Sequence, residues 1–286
     1  MKIVFIGATG MLGKPVAQQL IAEGHELTLL GRNENKLKEL FPLATIIQGD
    51  IFDKSSLIKA FAGQDAVYMN LSVGQSSKEK DPQPEREGIE NILAVAKETT
   101  IRRIACISSL VHLYQGMNGY NWWAFRIKQD AVKRIKNSGI PYTLFYPSTF
   151  METFPYQMMQ GKKIAAMGRS LMPMWFIAAD DYAKQVARSF TILKDESREY
   201  NVQGPGPYTF EEATKVFIAN YQKAKLSVLR MPLGLAKFIG SFNQKLNYVW
   251  HICEALNKYP EKFESQQTWD ELGKPTIRLA DFAKNL

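Results

Sequence analysis

Near its start the chain reads KIVFIGATGMLGKPVAQQL, and no other stretch restricts the fold so strongly. Ile3 to Ile6 form a short apolar run that stops at Gly7, the pattern of a buried strand. Leu12, Val16, Ala17, Leu20 and Ile21 then recur at helical spacing. The glycines at 7, 10 and 13 therefore occupy a strand-to-helix turn. Such a turn lets the main chain approach a phosphate closely and aims the unpaired N–H groups and positive end of the helix at it. The spacing carries one more residue between the first two glycines than G-x-G-x-x-G. A tight turn that binds nothing is the competing reading.

The rest of the first half alternates in the same way. HELTLLGR, ATIIQGD, DAVYMNLS, RRIACISS and PYTLFYPST read as further strands. NENKLKELF, DKSSLIKAFAG with Asp53 as its cap, Glu85 to Thr99 and Trp122 to Asn137 read as the helices between them. Strands alternating with helices call for right-handed crossovers and a doubly wound parallel sheet of Rossmann-like α/β class. Past Phe150 the pattern loosens. MWFIAADDYAKQVARSF reads as a short strand and a helix capped at Asp180 or Asp181, EYNVQGPGPYTFEEATKVF as a strand, a turn and a helix begun near Thr209, and Pro232 to Tyr259 as helical. The expected division is a core over residues 1–150 and, over 151–286, a smaller, mostly helical substrate lobe interleaved with the end of the core.

With 286 residues, 45% of them hydrophobic, the chain can bury a sizeable core. Its two cysteines, Cys106 and Cys253, form no disulfide framework and no C-x-x-C site, which suits a reducing, cytoplasmic compartment. No signal-peptide pattern and no apolar run of membrane-spanning length is present, so no membrane association is expected. The net charge of +8 raises the question of nucleic acid or an anionic membrane, but cations and acids are interspersed in ENKLKEL and SREYNV and no nucleic-acid-binding motif occurs, so a solvated basic surface that partly serves an anionic cofactor is expected. His25, His112 and His251 lack metal-ligand spacing, and no G-x-S-x-G elbow for hydrolysis is found.

The turn GATGMLG, an arginine after the second strand, GD after the third and SS after the fifth resemble an atypical, extended short-chain dehydrogenase. SGIPYTLFYPSTFMETF and IAADDYA are similar to its NmrA-like branch, which includes NADPH-binding redox sensors and quinone, flavin and isoflavone-type reductases. The resemblance covers roughly residues 1–220. It implies that Gly7, Thr9, Gly10, Met11, Leu12 and Gly13 wrap a pyrophosphate. Gly31 and Arg32 stand where an NAD enzyme holds an acid for the ribose hydroxyl, and an arginine there accommodates a 2′-phosphate bidentately. Lys36 follows one helical turn later. NADP(H) is thus expected over NAD(H), with Arg32 as a solvated loop cation the alternative.

The resemblance further implies that Asp50 and Ile51 flank the adenine, that Asn70, Leu71 and Ser72 meet the ribose, and that Pro147, Ser148, Thr149 and Phe150 lie along the nicotinamide. Asp50 reads equally as a turn former. Ser108 and Ser109 stand where a hydroxyl steadies a reacting carbonyl, or where a loop is simply capped. The catalytic Tyr-x-x-x-Lys of the dehydrogenases places both groups on one helix face. Lys128 matches the lysine, but Ala124 stands where the tyrosine would be. Tyr120, eight residues before Lys128, would sit about 12 Å along a continuous helix and about 80° off that face. Lys128 is thus the expected working residue, otherwise a surface cation. Trp122, Trp123, Phe125 and PYQMMQGKKIAAMGRSLMPMWF read as a wall for an apolar substrate or as ordinary packing.

These residues describe an NAD(P)H-dependent oxidoreductase reducing a quinone-like or other flat apolar small molecule. The alternatives are a non-catalytic NADP(H) sensor acting through a protein partner and, disfavoured by Ala124, a nucleotide-sugar epimerase or reductase. A homodimer stays open.

Overall fold

The computed structural model describes residues 1–286. Its first half is built from β1 (Lys2–Ile6), α1 (Gly13–Ala22), β2 (Glu26–Gly31), α2 (Glu34–Leu40), β3 (Thr45–Gln48), α3 (Lys54–Phe61), β4 (Ala66–Met69), α4 (Ile89–Lys97), β5 (Arg103–Ile107), α5 (Trp123–Lys136) and β6 (Tyr142–Pro147). Asn33 and Asp53 cap α2 and α3 by accepting the main-chain N–H groups of Lys36 and Ser55. The helix expected from Glu85 opens instead as a π-helical turn, Pro84–Gly88, before α4 begins.

The second half contains β7 (Met159–Gln160), β8 (Lys163–Met167), α6 (Ala179–Ile192), β9 (Arg198–Val202), α7 (Phe210–Asn220), β10 (Ser227–Met231), α8 (Leu233–Gly240), α9 (Gln244–Lys258), α10 (Gln266–Leu272) and α11 (Leu279–Lys284). Seven strands form one sheet in the order β3-β2-β1-β4-β5-β6-β9, every neighbouring pair parallel. Alternate residues of β1 feed the two faces. Ile3 and Phe5 pack with α1, α2 and α6, while Val4 and Ile6 pack with α3, α4 and α5. The chain runs outward from β1 through β2 to β3 and then returns to place β4 on the other side of β1. This reversal of order opens a crevice at the carboxyl ends of β1 and β4, where ligands bind in such sheets.

Residues 179–202 pack with the core, α6 lying on α1 and β9 closing the sheet. Other details of the second half differ from the expectation. Neither Asp180 nor Asp181 caps α6: Ala178 is the capping position and Glu152 accepts the Ala179 N–H. Asp181, 4% exposed, instead accepts the N–H groups of Thr276 and Ile277, so its carboxylate anchors the C-terminal segment. The methionine-rich stretch forms β7 and β8, which join β10 in a second sheet, and residues 174–177 make only isolated bridges. The helical stretch from Pro232 breaks at Ser241–Asn243, where the Asn243 side chain caps α9.

Candidate functional site

The register of β1 with β4 pairs Ile6 with Met69 and thereby sets Gly7 beside Asn70. Gly7 has φ +89°, and a Cβ there would lie 2.3 Å from the Asn70 carbonyl oxygen. At Gly13 a Cβ would lie 2.1 Å from the Gly7 oxygen. Packing within the fold thus requires both glycines. Gly10 differs, because its Cβ would meet nothing nearer than 3.5 Å, an ordinary contact. What Gly10 leaves free is the outer side of the turn. Met11, Leu12 and Gly13 direct main-chain N–H groups that find no carbonyl partner, and no side chain caps α1. Open space, unpaired donors and the positive helix end together form a cradle that suits a pyrophosphate.

Arg32 follows β2, and the pairing of Ile6 with Leu30 brings it to the same edge as the turn. Its guanidinium is exposed and makes no ion pair; the Lys36 side chain is also exposed. Asp50 accepts the Phe52 N–H at 3.1 Å, the turn-forming role. Ile51 is 9% exposed and lies against Gly88, where a Cβ would sit 2.5 Å from its Cδ1. Asn70 donates to the Gly7 oxygen at 3.4 Å, Leu71 is half-buried, and Ser72 donates to the Val73 carbonyl.

Lys128 is not a surface cation. Its ammonium lies 2.5 Å from Glu85 Oε1, with the side chains 14% and 4% exposed. The second oxygen of Glu85 accepts the Val73 N–H at 3.1 Å, so one carboxylate ties the loop after β4 to α5. Sequence reasoning missed Glu85, since an acid in the first turn of a helix ordinarily just faces the helix dipole. Ser108 is buried, its hydroxyl 3.3 Å from His112 Nδ1; Ser109 is half-buried. Burial, and then the nearby Lys128 charge, push the His112 pKa down to about 3, so this ring stays neutral.

The segment after β6 is committed to the protein. Ser148 donates to Glu261 at 2.8 Å, Thr149 to Met174 Sδ, and Phe150 packs 5.5 Å from the Tyr182 ring. The Thr149 and Phe150 side chains are therefore core groups.

Tyr120 lies outside α5, its hydroxyl donating to the His251 carbonyl at 3.0 Å. It belongs to an aromatic cluster that joins α5 to α9 around Val73, Trp122 and the buried Ala124. Trp122 stacks on His251 at 4.9 Å and meets Tyr248 edge-on at 5.1 Å. Trp122 Nε1 and His251 Nδ1 are buried without hydrogen-bond partners. Burial holds the His251 pKa down at about 4 and, with the Glu85 charge, pushes the Tyr248 phenol up to about 12. Tyr248 and His251 gave no signal in the sequence, because only the packing of α9 on α5 brings them here.

A cleft of about 690 Å³ lies between α5 and α10. Its polar groups already satisfy one another, Lys136 and Tyr146 both meeting Glu199. No cluster able to hold a metal ion is present.

The profile of a family described as NAD(P)H-binding matches residues 7–172. Among curated proteins, the chain is 26% identical to a (4-alkanoyl-5-oxo-2,5-dihydrofuran-3-yl)methyl phosphate reductase of Streptomyces griseus, over 74% of this chain and 71% of the relative. It is 21% identical to the photosystem II assembly factor Ycf39 of Synechocystis, over 90% and 78%. Among solved structures, an NADPH-dependent quinone oxidoreductase of Escherichia coli superposes with TM-score 0.75 at 18% identity, covering 99% of this chain and 98% of that one.

Proposed function

The chain belongs to the NAD(P)H-binding family, and from that premise we propose that it is an NADPH-dependent oxidoreductase whose acceptor is a flat, largely apolar molecule. The observation that carries this reading is the cradle of unpaired Met11, Leu12 and Gly13 N–H groups beside the exposed Arg32, with an aromatic cluster packed around Val73, whose N–H the Lys128 partner Glu85 accepts. The half-buried Trp123 and Tyr248 rings of that cluster offer stacking surface to a flat acceptor. The curated reductase and the quinone oxidoreductase fold support the same direction.

When bound, NADPH supplies the hydride. The N–H groups of Met11, Leu12 and Gly13 hold the pyrophosphate, and Arg32 with Lys36 neutralises the 2′-phosphate. Asp50, Asn70, Leu71 and Ser72 border the nucleoside end. Lys128 holds the ribose at the reacting end; Glu85 fixes where its ammonium points. Ser108 and Ser109 lie at the adjoining strand end. The missing phenol at position 124 is replaced from the lobe: Tyr248, still protonated at neutral pH, delivers a proton to the reduced acceptor.

A second reading is a sensor that binds NADP(H) and signals to a protein partner. Ala124 favours it, because without a phenol there the dehydrogenase pair is incomplete; the likeness to an assembly factor points the same way. The same alanine weighs against sugar epimerisation. Screening NADPH oxidation against quinones, flavins and aldehydes separates them. Turnover of a flat acceptor is expected; tight NADPH binding with no turnover assigns the sensor, and failure to bind either nicotinamide overturns both.

A further inference from the structure

Residues 213–253 contain no Asp or Glu, yet carry Lys215, Lys223, Lys225, Arg230, Lys237 and Lys245. All six cations are exposed, and only Arg230 meets a carboxylate within ion-pair distance, Glu211 at 3.1 Å. Inside this stretch lies α8. Leu235, Phe238, Ile239 and Phe242 follow helical spacing i, i+3, i+4 and i+7 and are 48%, 66%, 38% and 82% exposed. The rings of Phe238 and Phe242 lie edge-on at 5.8 Å.

The inward side of α8 is made of small residues. Ala236 and Gly240 are buried, and a Cβ at Gly240 would sit 3.1 Å from Asn247 Cα on α9. An ordinary surface helix turns its large apolar residues to the core and its polar ones to water. Here the arrangement is inverted. Contiguous exposed apolar surface marks an interaction face.

We propose that the outward apolar face of α8 in the C-terminal lobe docks on the surface of an anionic lipid bilayer. Apolar side chains along one helix face, in an acid-free stretch that carries the exposed cations Lys215, Lys223, Lys225 and Lys245, match a helix lying in a membrane interface. The exposed face offers few hydrogen-bonding groups, which suits acyl chains better than nucleic acid. No helix is long and apolar enough to cross a membrane, so the contact is peripheral. The expectation of no membrane association rested on the missing span and on cations interspersed with acids; α8 with its 8 residues falls far below a span, and its stretch of chain holds cations without acids. The proposal is independent of the proposed chemistry.

Cosedimentation of the full chain with vesicles tests it. Vesicles of equimolar phosphatidylcholine and phosphatidylglycerol should carry the protein down, and pure phosphatidylcholine far less. Phe238→Ser with Phe242→Ser should weaken binding more than about tenfold. Lys225→Gln and Lys245→Gln should each weaken it roughly fivefold, the value of one cation at such a surface. Unchanged NADPH affinity shows that each variant is folded. Lack of binding to anionic vesicles, or equal binding by the phenylalanine variant, overturns the proposal. A dimer in sedimentation equilibrium that Phe238→Ser dissociates overturns it too, by giving the face to a second copy.

Discussion

The Lys128 ammonium and the Glu85 carboxylate face each other at 2.5 Å with both side chains largely buried. Removing one partner leaves the other charge buried. Lys128→Ala should therefore destabilise the fold by about 3–5 kcal/mol in urea unfolding, where an exposed lysine would cost almost nothing. The double variant Lys128→Met, Glu85→Gln should regain most of that loss while turnover stays low. A Lys128→Ala protein as stable as wild type would show that the pair does not form.

The glycines of the first turn should separate by role. Gly13→Ala forces a Cβ against the Gly7 carbonyl and should cost about 1–3 kcal/mol of stability. Gly10→Ala has room inside the protein and should leave the melting temperature unchanged, yet reduce NADPH affinity on calorimetric titration. Full affinity in Gly10→Ala removes the phosphate from this turn.

Arg32 is exposed and unpaired, so Arg32→Asp should not disturb the fold. NADPH binding should weaken by about tenfold or more, the worth of charge-assisted hydrogen bonds to a phosphate, and the preference over NADH should narrow or reverse. Equal affinities of the unaltered protein for the two nicotinamides would sink the assignment.

Tyr248→Phe removes only the hydroxyl from a ring packed against Trp122. Turnover should drop about a hundredfold while NADPH affinity and stability hold. If instead Tyr120→Phe causes the loss and Tyr248→Phe does not, the proton comes from the other phenol.

Glu152 gives a pH signature. One oxygen accepts the Ala179 N–H at 2.9 Å, the other is buried without a partner, and burial pushes the pKa from 4.5 up to about 7. A carboxyl whose folded pKa is raised contributes stability that is full below pH 4.5 and lost as the pH climbs through about 7. Glu152→Gln should flatten that part of the curve. Relative to wild type it should gain on the order of 3 kcal/mol between pH 4.5 and 8. His112 and His251 act in the opposite sense in both proteins, so the difference between the two unfolding curves is the quantity to read. Parallel curves would show that Glu152 ionises freely.

The order of strands and helices to Pro147, the glycine turn and the loop arginine were legible in the sequence, because each depends on neighbours within about one turn or one strand. Hydrophobic period, a cap at Asp53 and a glycine at a junction are local properties. What surrounds Lys128 was decided elsewhere. Glu85 arrives from 43 residues upstream, held by Val73, and Tyr248 and His251 arrive on a helix more than a hundred residues downstream. Asp181 looked like a cap and became an anchor for residues 276 and 277, since burial rewards whichever N–H groups the folded chain brings to it. The outward apolar face of α8 is of the same kind: its helical period is plain in the sequence, but which side meets water depends on how Gly240 packs on α9.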